Sequence, residues 1–380
     1  MKTVTFNATL LLFLSLSLWS LNLVQAQTLN LSSFSTNGTV NVMVEDDDNI
    51  YIGGSFSQAG SRGAGIALVD NNGKVIPEFN SLAADVNAII PDGSGGWYVG
   101  GSFSNIQGKN QLLHILPDNT INPVFSPAPN STVQSLYLHG STLYVGGWFT
   151  QIGGQPRTYL AALNATSGAA TSWNPVLNSA VYSIQRNADI VSAGGTFTLV
   201  NGRSHNYFAM LDANTAELVS IMAVNSTVHA IEQDADNIYL GGSFSGAQGL
   251  LSRYGALLGT GSDLPENNFP ILNSTVHASI PDGAGGWYVG GSFSGVGGKN
   301  YLIRVLANNT VDPTFSPAPN STVLSLFLHG STLYVGGWFT QIGGQPRTYL
   351  AALDAGTGVA TSWAPNPNSI VNSISRHNNT

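Results

Sequence analysis

Residues 139–163 read HGSTLYVGGWFTQIGGQPRTYLAAL, and residues 329–353 repeat them without a change. The centre of the stretch is Tyr144-Val145-Gly146-Gly147-Trp148-Phe149: an aromatic, an aliphatic, two glycines, a variable residue and a phenylalanine. Related cores stand at 51–56, 98–103, 144–149, 192–197, 239–244, 288–293 and 334–339. Their first glycines fall at 53, 100, 146, 194, 241, 290 and 336, in steps of 46 to 49 residues. A steady period in this range marks a stack of like units, each burying its apolar face on its neighbours. The identical blocks are offset by 329 − 139 = 190 residues, the length of four units, which points to duplication of a four-unit block.

One unit resolves into four short strands. Val133 to Leu138 alternates as a strand does, and His139 to Thr142 supplies turn residues. Leu143 to Phe149 is a second strand running through the glycine pair, and Gln151 to Arg157 is a loop on its Gly and Pro content. Tyr159 to Leu163 and Ala169 to Trp173 complete the set before Asn174-Pro175. Four antiparallel strands in 40 to 50 residues is the pattern of a propeller blade, so the expectation is all-β, with about seven four-stranded blades. The glycine pair is then a place where a neighbouring blade approaches. A phosphate-cradling loop would need a helix to follow, and none is evident.

Val40, Val86, Val133 and their counterparts as far as Val323 each open a unit, 13 or 14 residues before its first glycine. Val371-Asn372-Ser373-Ile374 opens a partial eighth copy, matching Val181-Tyr182-Ser183-Ile184 at the same offset of 190. The expectation is either a closing strand or, if the chain is a fragment, an eight-bladed ring.

Tyr334-Val335-Gly336-Gly337-Trp338-Phe339-Thr340, Leu350-Ala351-Ala352-Leu353-Asp354, Thr357-Gly358 and Trp363-Ala364-Pro365 carry a resemblance. They are similar to delta-60 repeats, a β-propeller family found in secreted and cell-surface proteins. The resemblance implies fold and compartment, and hardly any biochemical activity. Units one, four and five depart from it, with Ser192-Ala193 where Tyr-Val is usual. The Leu-Asp…Thr-Gly…Trp stretch also resembles the repeats of quinone-cofactor dehydrogenases and of an outer-membrane assembly scaffold.

Residues 1–26 read as a cleavable export signal: Lys2 is the only charge, Leu10 to Val24 is mostly apolar, and Val24-Gln25-Ala26 suits a signal peptidase. Ser15, Ser17, Ser20 and Asn22 interrupt it too often for a membrane anchor, and no later stretch is long and apolar enough to span. The mature protein is therefore expected to be secreted or held at the cell surface. Cysteine is absent, which removes disulfides and thiolate metal sites. Charged residues make up 8%, with 12 Lys+Arg against 20 Asp+Glu, so nothing suits a nucleic-acid backbone.

Catalytic signatures are missing. The seven histidines stand apart without a ligand-pair motif, and no Gly-x-Ser-x-Gly elbow appears. Glu45-Asp46-Asp47-Asp48 lacks the calcium-loop pattern and reads as a solvated turn. Pro91-Asp92-Gly93 and Pro281-Asp282-Gly283 are turn formers whose repeated carboxylates would bind a cation at most weakly. Nine Asn-x-Ser/Thr sequons follow the signal: Asn30, Asn37, Asn130, Asn164, Asn225, Asn273, Asn308, Asn320 and Asn378. No catalytic residue, metal ligand or cofactor is expected, and the function indicated is a non-enzymatic scaffold for binding or surface assembly. The competing class is a glycan-active hydrolase or lyase working in the propeller channel. The candidate ligand-binding residues are Trp148 and Trp338, with Arg157 and Arg347 in the Gly-Gly-Gln-Pro-Arg loops. An aromatic beside a guanidinium suits a sugar or a carboxylate, so an extracellular polysaccharide or surface protein is the expected partner. The alternative is that each Trp packs between blades and each Arg ties down its loop.

Overall fold

The computed structural model describes residues 39–46, 49–55, 66–70, 85–220, 222–233, 237–247, 254–259, 269–364, 367, 370–371 and 375–376. Residues 1–26, Asp47-Asp48 and the sequons at 30, 37 and 378 lie outside them. Among the described residues the regular structure is all strand. Seven antiparallel sheets follow one another along the chain, each an inner, a middle and an outer strand in sequence order. Their inner strands are Thr39–Asp46, Asp85–Pro91, Val133–His139, Val181–Asn187, Val228–Gln233, Val276–Pro281 and Val323–His329. Each inner strand neighbours the next, so together they ring an axis, and we number the blades 1 to 7 in this order. Ser375–Arg376 adds a short eighth inner strand between blades 7 and 1, pairing parallel with Val44 and Glu45.

The glycine pair explains how the blades stack. A Cβ on the first glycine would lie 2.5 Å from Val133 Cγ1 at Gly100, 2.8 Å from Val181 at Gly146, and 2.5 Å from Val228 at Gly194. The same holds for Gly241 under Val276, Gly290 under Val323 and Gly336 under Val371. Each of these six first glycines is thus the floor on which the next unit's opening valine sits, and Val371 is seated as the others are. The second glycine serves its own blade. A Cβ there would strike the backbone carbonyl of the residue before the opening valine, for instance Asp85 at Gly101 and Thr132 at Gly147. That close approach accompanies a bulge in every inner strand: Val133 faces Gly147 but Ser135 faces Gly146, leaving Gln134 as the extra residue.

In blades 2, 3, 4, 6 and 7 the fourth strand is shorter than the sequence suggests. It shrinks to single bridges such as Leu163 with Ala170 and Leu353 with Ala360. The chain turns away at once because the Trp-x-Pro that follows is used between rings and blades. Trp173 packs edge-on to Tyr144 at 5.3 Å and donates from Nε1 to the Asp212 carbonyl of blade 4 at 2.9 Å. Proline, with no N–H, cannot extend the ladder. The cores lie between the sheets; one cluster joins Tyr144 and Trp173 of blade 3 to Val181, Val191 and Phe197 of blade 4.

Candidate functional site

Register places the opening valine, the glycine pair and the start of the outer strand at one end of each blade, here called the upper face. A repeated asparagine organises the loops there. Asn130 Oδ1 accepts from the N–H groups of Thr150 (2.9 Å) and Gln151 (3.1 Å), and Asn178, Asn225 and Asn320 do the same twenty and twenty-one residues on. Four of the sequons, Asn130, Asn225, Asn273 and Asn320, are these clasp positions, so the fold itself accounts for an asparagine there. The outer strand is entered through a residue in the left-handed region, Tyr159 in blade 3 (φ 67°) and Tyr349 in blade 7 (φ 64°), whose N–H bonds the carbonyl of the core phenylalanine.

The bulge places one residue per blade around the axial opening on this face: Asn41, Asn87, Gln134, Tyr182, His229, His277 and Leu324 in blade order. In blades 4 to 6 these side chains are rings in series. Tyr182 and His229 lie nearly parallel at 6.0 Å, His229 and His277 stand 6.1 Å apart, and Trp148 of blade 3 leans on Tyr182 at 6.3 Å. Hydroxyls fix the imidazoles. His229 Nε2 is 3.1 Å from Ser243 Oγ, which reaches Thr275 Oγ1 of the next blade; His277 repeats this with Ser292 and Thr322. Burial lowers the pKa of His229, and burial together with the neighbouring His229 charge brings His277 down to about 4. Both rings are therefore uncharged at neutral pH. Blades 1 to 3 carry carboxamides instead, and Asn87 Nδ2 donates to the Val133 carbonyl of the next blade at 3.1 Å. Amides thus form one arc and rings another; the two adjoin between Gln134 and Tyr182, and Leu324 of blade 7 belongs to neither. The sequence signal was available: it is the residue after each opening valine, which varies from unit to unit and so repeats as no motif.

Further down the inner strands, Glu232 of blade 5 accepts from Gln185 Nε2 of blade 4 at 3.2 Å. Desolvation among the inner strands raises its pKa to about 8.

The sequence-derived candidates divide. Trp148 and Trp338 are 44% and 53% exposed on the upper face, and Trp148 also leans on Tyr182 of blade 4. Arg157 and Arg347 are spent on their own loops. Arg157 donates from Nη1 to the Pro156 carbonyl (2.8 Å) and from Nη2 to that of Thr171 (2.7 Å), and Arg347 repeats both bonds on Pro346 and Thr361. The described cation–π contacts are Arg186 over Tyr144 and Arg304 over Tyr288, so the expected Trp–Arg pairing is replaced by Trp148 on Tyr182.

The repeated carboxylates Asp92 and Asp282 are internal partners. Asp92 accepts from Ser94 N–H and Gly96 N–H and binds His114 Nε2 at 2.8 Å, while Asn122 Nδ2 meets His114 Nδ1 at 3.0 Å. In the duplicated block the same three places hold Asp282, Arg304 and Asp312, joined by ion pairs of 2.8 and 3.5 Å. Among the described residues no three His, Asp or Glu side chains converge as metal ligands would, and no helix is long and apolar enough to cross a membrane.

Ringed blades built on a repeated meander define a β-propeller. Residues 142–169, 285–315 and 332–356 match the family described as "Domain of unknown function (DUF5122) beta-propeller". Among solved structures the chain is similar to the computationally designed Ika8 protein, with a TM-score of 0.60 and 11% identity over 89% of this chain and 90% of that one. Lesser likenesses are to the WD40 domain of Pan2 from Neurospora crassa (TM-score 0.48, 14% identity, 78% and 86% covered) and to that of Doa1 (0.46, 12%, 88% and 85%). At such identities the likeness concerns the fold alone. Among curated proteins nothing matches this chain.

Proposed function

We propose that this chain is an exported, non-enzymatic propeller that holds an extracellular glycan on its upper face. One observation carries the reading: Trp148 and Trp338 occupy the same register four blades apart and leave about half of each indole in water. An exposed indole forgoes burial that its fold elsewhere obtains for Trp97 and Trp287, and a flat apolar face with one N–H donor suits the C–H face of a sugar. Export rests on the character of residues 1–26 and on the likeness of the repeats to delta-60 repeats of secreted proteins. The competing hydrolase or lyase reading asks for paired carboxyl groups at a glycosidic bond, whereas Glu232 is paired with the carboxamide of Gln185.

Two like sites on opposite sides of one ring favour a polymer, since the second contact forms at high effective concentration. The test is retention on insoluble cellulose, chitin, β-1,3-glucan and bacterial cell wall. Wild type is expected to be retained on at least one, Trp148→Ala or Trp338→Ala to weaken it, and the double variant to wash off. A folded double variant retained as well as wild type refutes the reading.

A further inference from the structure

We infer that the bulge ring at the axial opening is a specificity site for one uncharged sugar ring, held where its two arcs meet, between the carboxamide of Gln134 and the ring of Tyr182. This rests on the glycan-binding reading of the upper face and names the chemistry of its centre. A pyranose presents two kinds of surface, a rim of hydroxyls that donate and accept and a face of C–H bonds. The opening presents the matching pair: amides that donate and accept on one arc, flat rings on the other. The ring arc extends outward to Trp148 through Tyr182, so a sugar seated in the opening is continuous with a chain lying on the exposed indole.

Charge narrows the class. The carboxamides carry no charge, and burial pushes both imidazoles towards the uncharged form. Each imidazole already has Nε2 against a serine hydroxyl. The guanidinium groups nearest in sequence are committed elsewhere, Arg157 to two carbonyls and Arg186 to Tyr144 Oη and the Ala188 carbonyl. Among the described bulge residues there is no Lys or Arg to receive the carboxylate of a uronate or of a peptide terminus. A neutral hexose end asks for none.

The four-unit duplication supplies the variants. Position 134 is matched 190 residues on by Leu324, and position 182 by Asn372. Gln134→Leu therefore changes the ring with a residue this fold uses at that register, and Tyr182→Asn with the residue the eighth copy carries in sequence. The probes are methyl glycosides of glucose, galactose, mannose and N-acetylglucosamine, with methyl glucuronoside as the charged counterpart, titrated calorimetrically and by ligand-observed NMR. At least one neutral glycoside is expected to bind, its uronate about tenfold or more weaker, and both variants about tenfold weaker than wild type. Unchanged binding by both variants, or equal affinity for the uronate, overturns the inference. Polysaccharide retention without binding of any monosaccharide removes the ring site and leaves the exposed-indole reading standing. Loss of both assays in wild type removes both.

Discussion

Replacing Gly100 with alanine tests whether the valine-on-glycine contact sets the spacing of the blades. The new Cβ would stand 2.5 Å from Val133 Cγ1, 3.2 Å from Val133 Cβ and 3.4 Å from Leu136 Cδ1, all side-chain atoms of blade 3. The backbone at Gly100 has no positive φ, so the cost is steric, and overpacking of this degree destabilises by about 1–3 kcal/mol. Val133 is fully buried, and Val133→Ala alone removes two methyl groups for about 2–3 kcal/mol. In the double variant the 2.5 Å contact no longer exists and only the Cβ contact is tight. Its cost should fall short of the sum of the single costs by about 1 kcal/mol or more. Gly101→Ala is the control. Its Cβ would meet the Asp85 carbonyl, which no trimming moves, so it should cost more than Gly100→Ala and add to Val133→Ala without relief. Equilibrium urea unfolding followed by tryptophan fluorescence gives the four free energies. Additivity at 100 and 133 within about 0.5 kcal/mol, or a milder effect at 101 than at 100, would refute the assignment of the two glycines.

The clusters that differ between the duplicated blocks make a second test. His114→Arg alone places a fixed charge between Asp92 and a neutral amide, whereas His114→Arg with Asn122→Asp rebuilds the Asp282–Arg304–Asp312 arrangement. The double variant should be more stable than His114→Arg by about 1–3 kcal/mol in the same unfolding assay, and an equal or lower stability counts against the correspondence. His277 is neutral in the fold down to about pH 4 but titrates near 6.5 when unfolded. The unfolded chain then binds the extra proton, so this contribution to stability is present above pH 6.5 and is lost as pH falls towards 4. His277→Asn, the residue blade 2 carries as Asn87, should flatten melting temperature against pH over that window; an unaltered slope contradicts it. Glu232 has the opposite sign. Its raised pKa makes the folded state hold a proton that the unfolded chain releases above about 4.5, so stability falls as pH rises towards 8. Glu232→Gln should raise the melting temperature at pH 8 and leave it unchanged at pH 4, and a loss at pH 8 would show that the carboxylate is needed charged.

The sequence made legible those features that recur in identical chemistry. The glycine pair, its opening valine and the start of an eighth copy at Val371 were all readable because every blade meets the same neighbour. What escaped is what varies or depends on side-chain direction. The bulge residue changes from Asn41 to His277 around the ring, so periodicity hides it, and the extra residue shows only in the pairing of Val133 with Gly147 and Ser135 with Gly146. Trp148 and Arg157 are close in sequence, yet the loop between them turns the guanidinium back onto Pro156 and Thr171. Four of the clasp asparagines were visible only as sequons and Asn178 not even so, because hydrogen bonding to residues twenty positions on leaves no local pattern. The fourth strand was overestimated because its β-branched and aromatic residues serve contacts between blades.

The parallel pairing of Val44 and Glu45 with Ser375 and Arg376 bears on how the molecule is made. Each valine from Val133 onward finds its glycine in the preceding unit, so blades 3 to 7 are joined by contacts between consecutive units. The inner strand of blade 1 waits for a partner encoded more than three hundred residues later. Until Ser375–Arg376 pairs with it, blade 1 has a bare inner-strand edge and the blades form an open arc. Any chaperone demand in its biosynthesis should fall on that first blade.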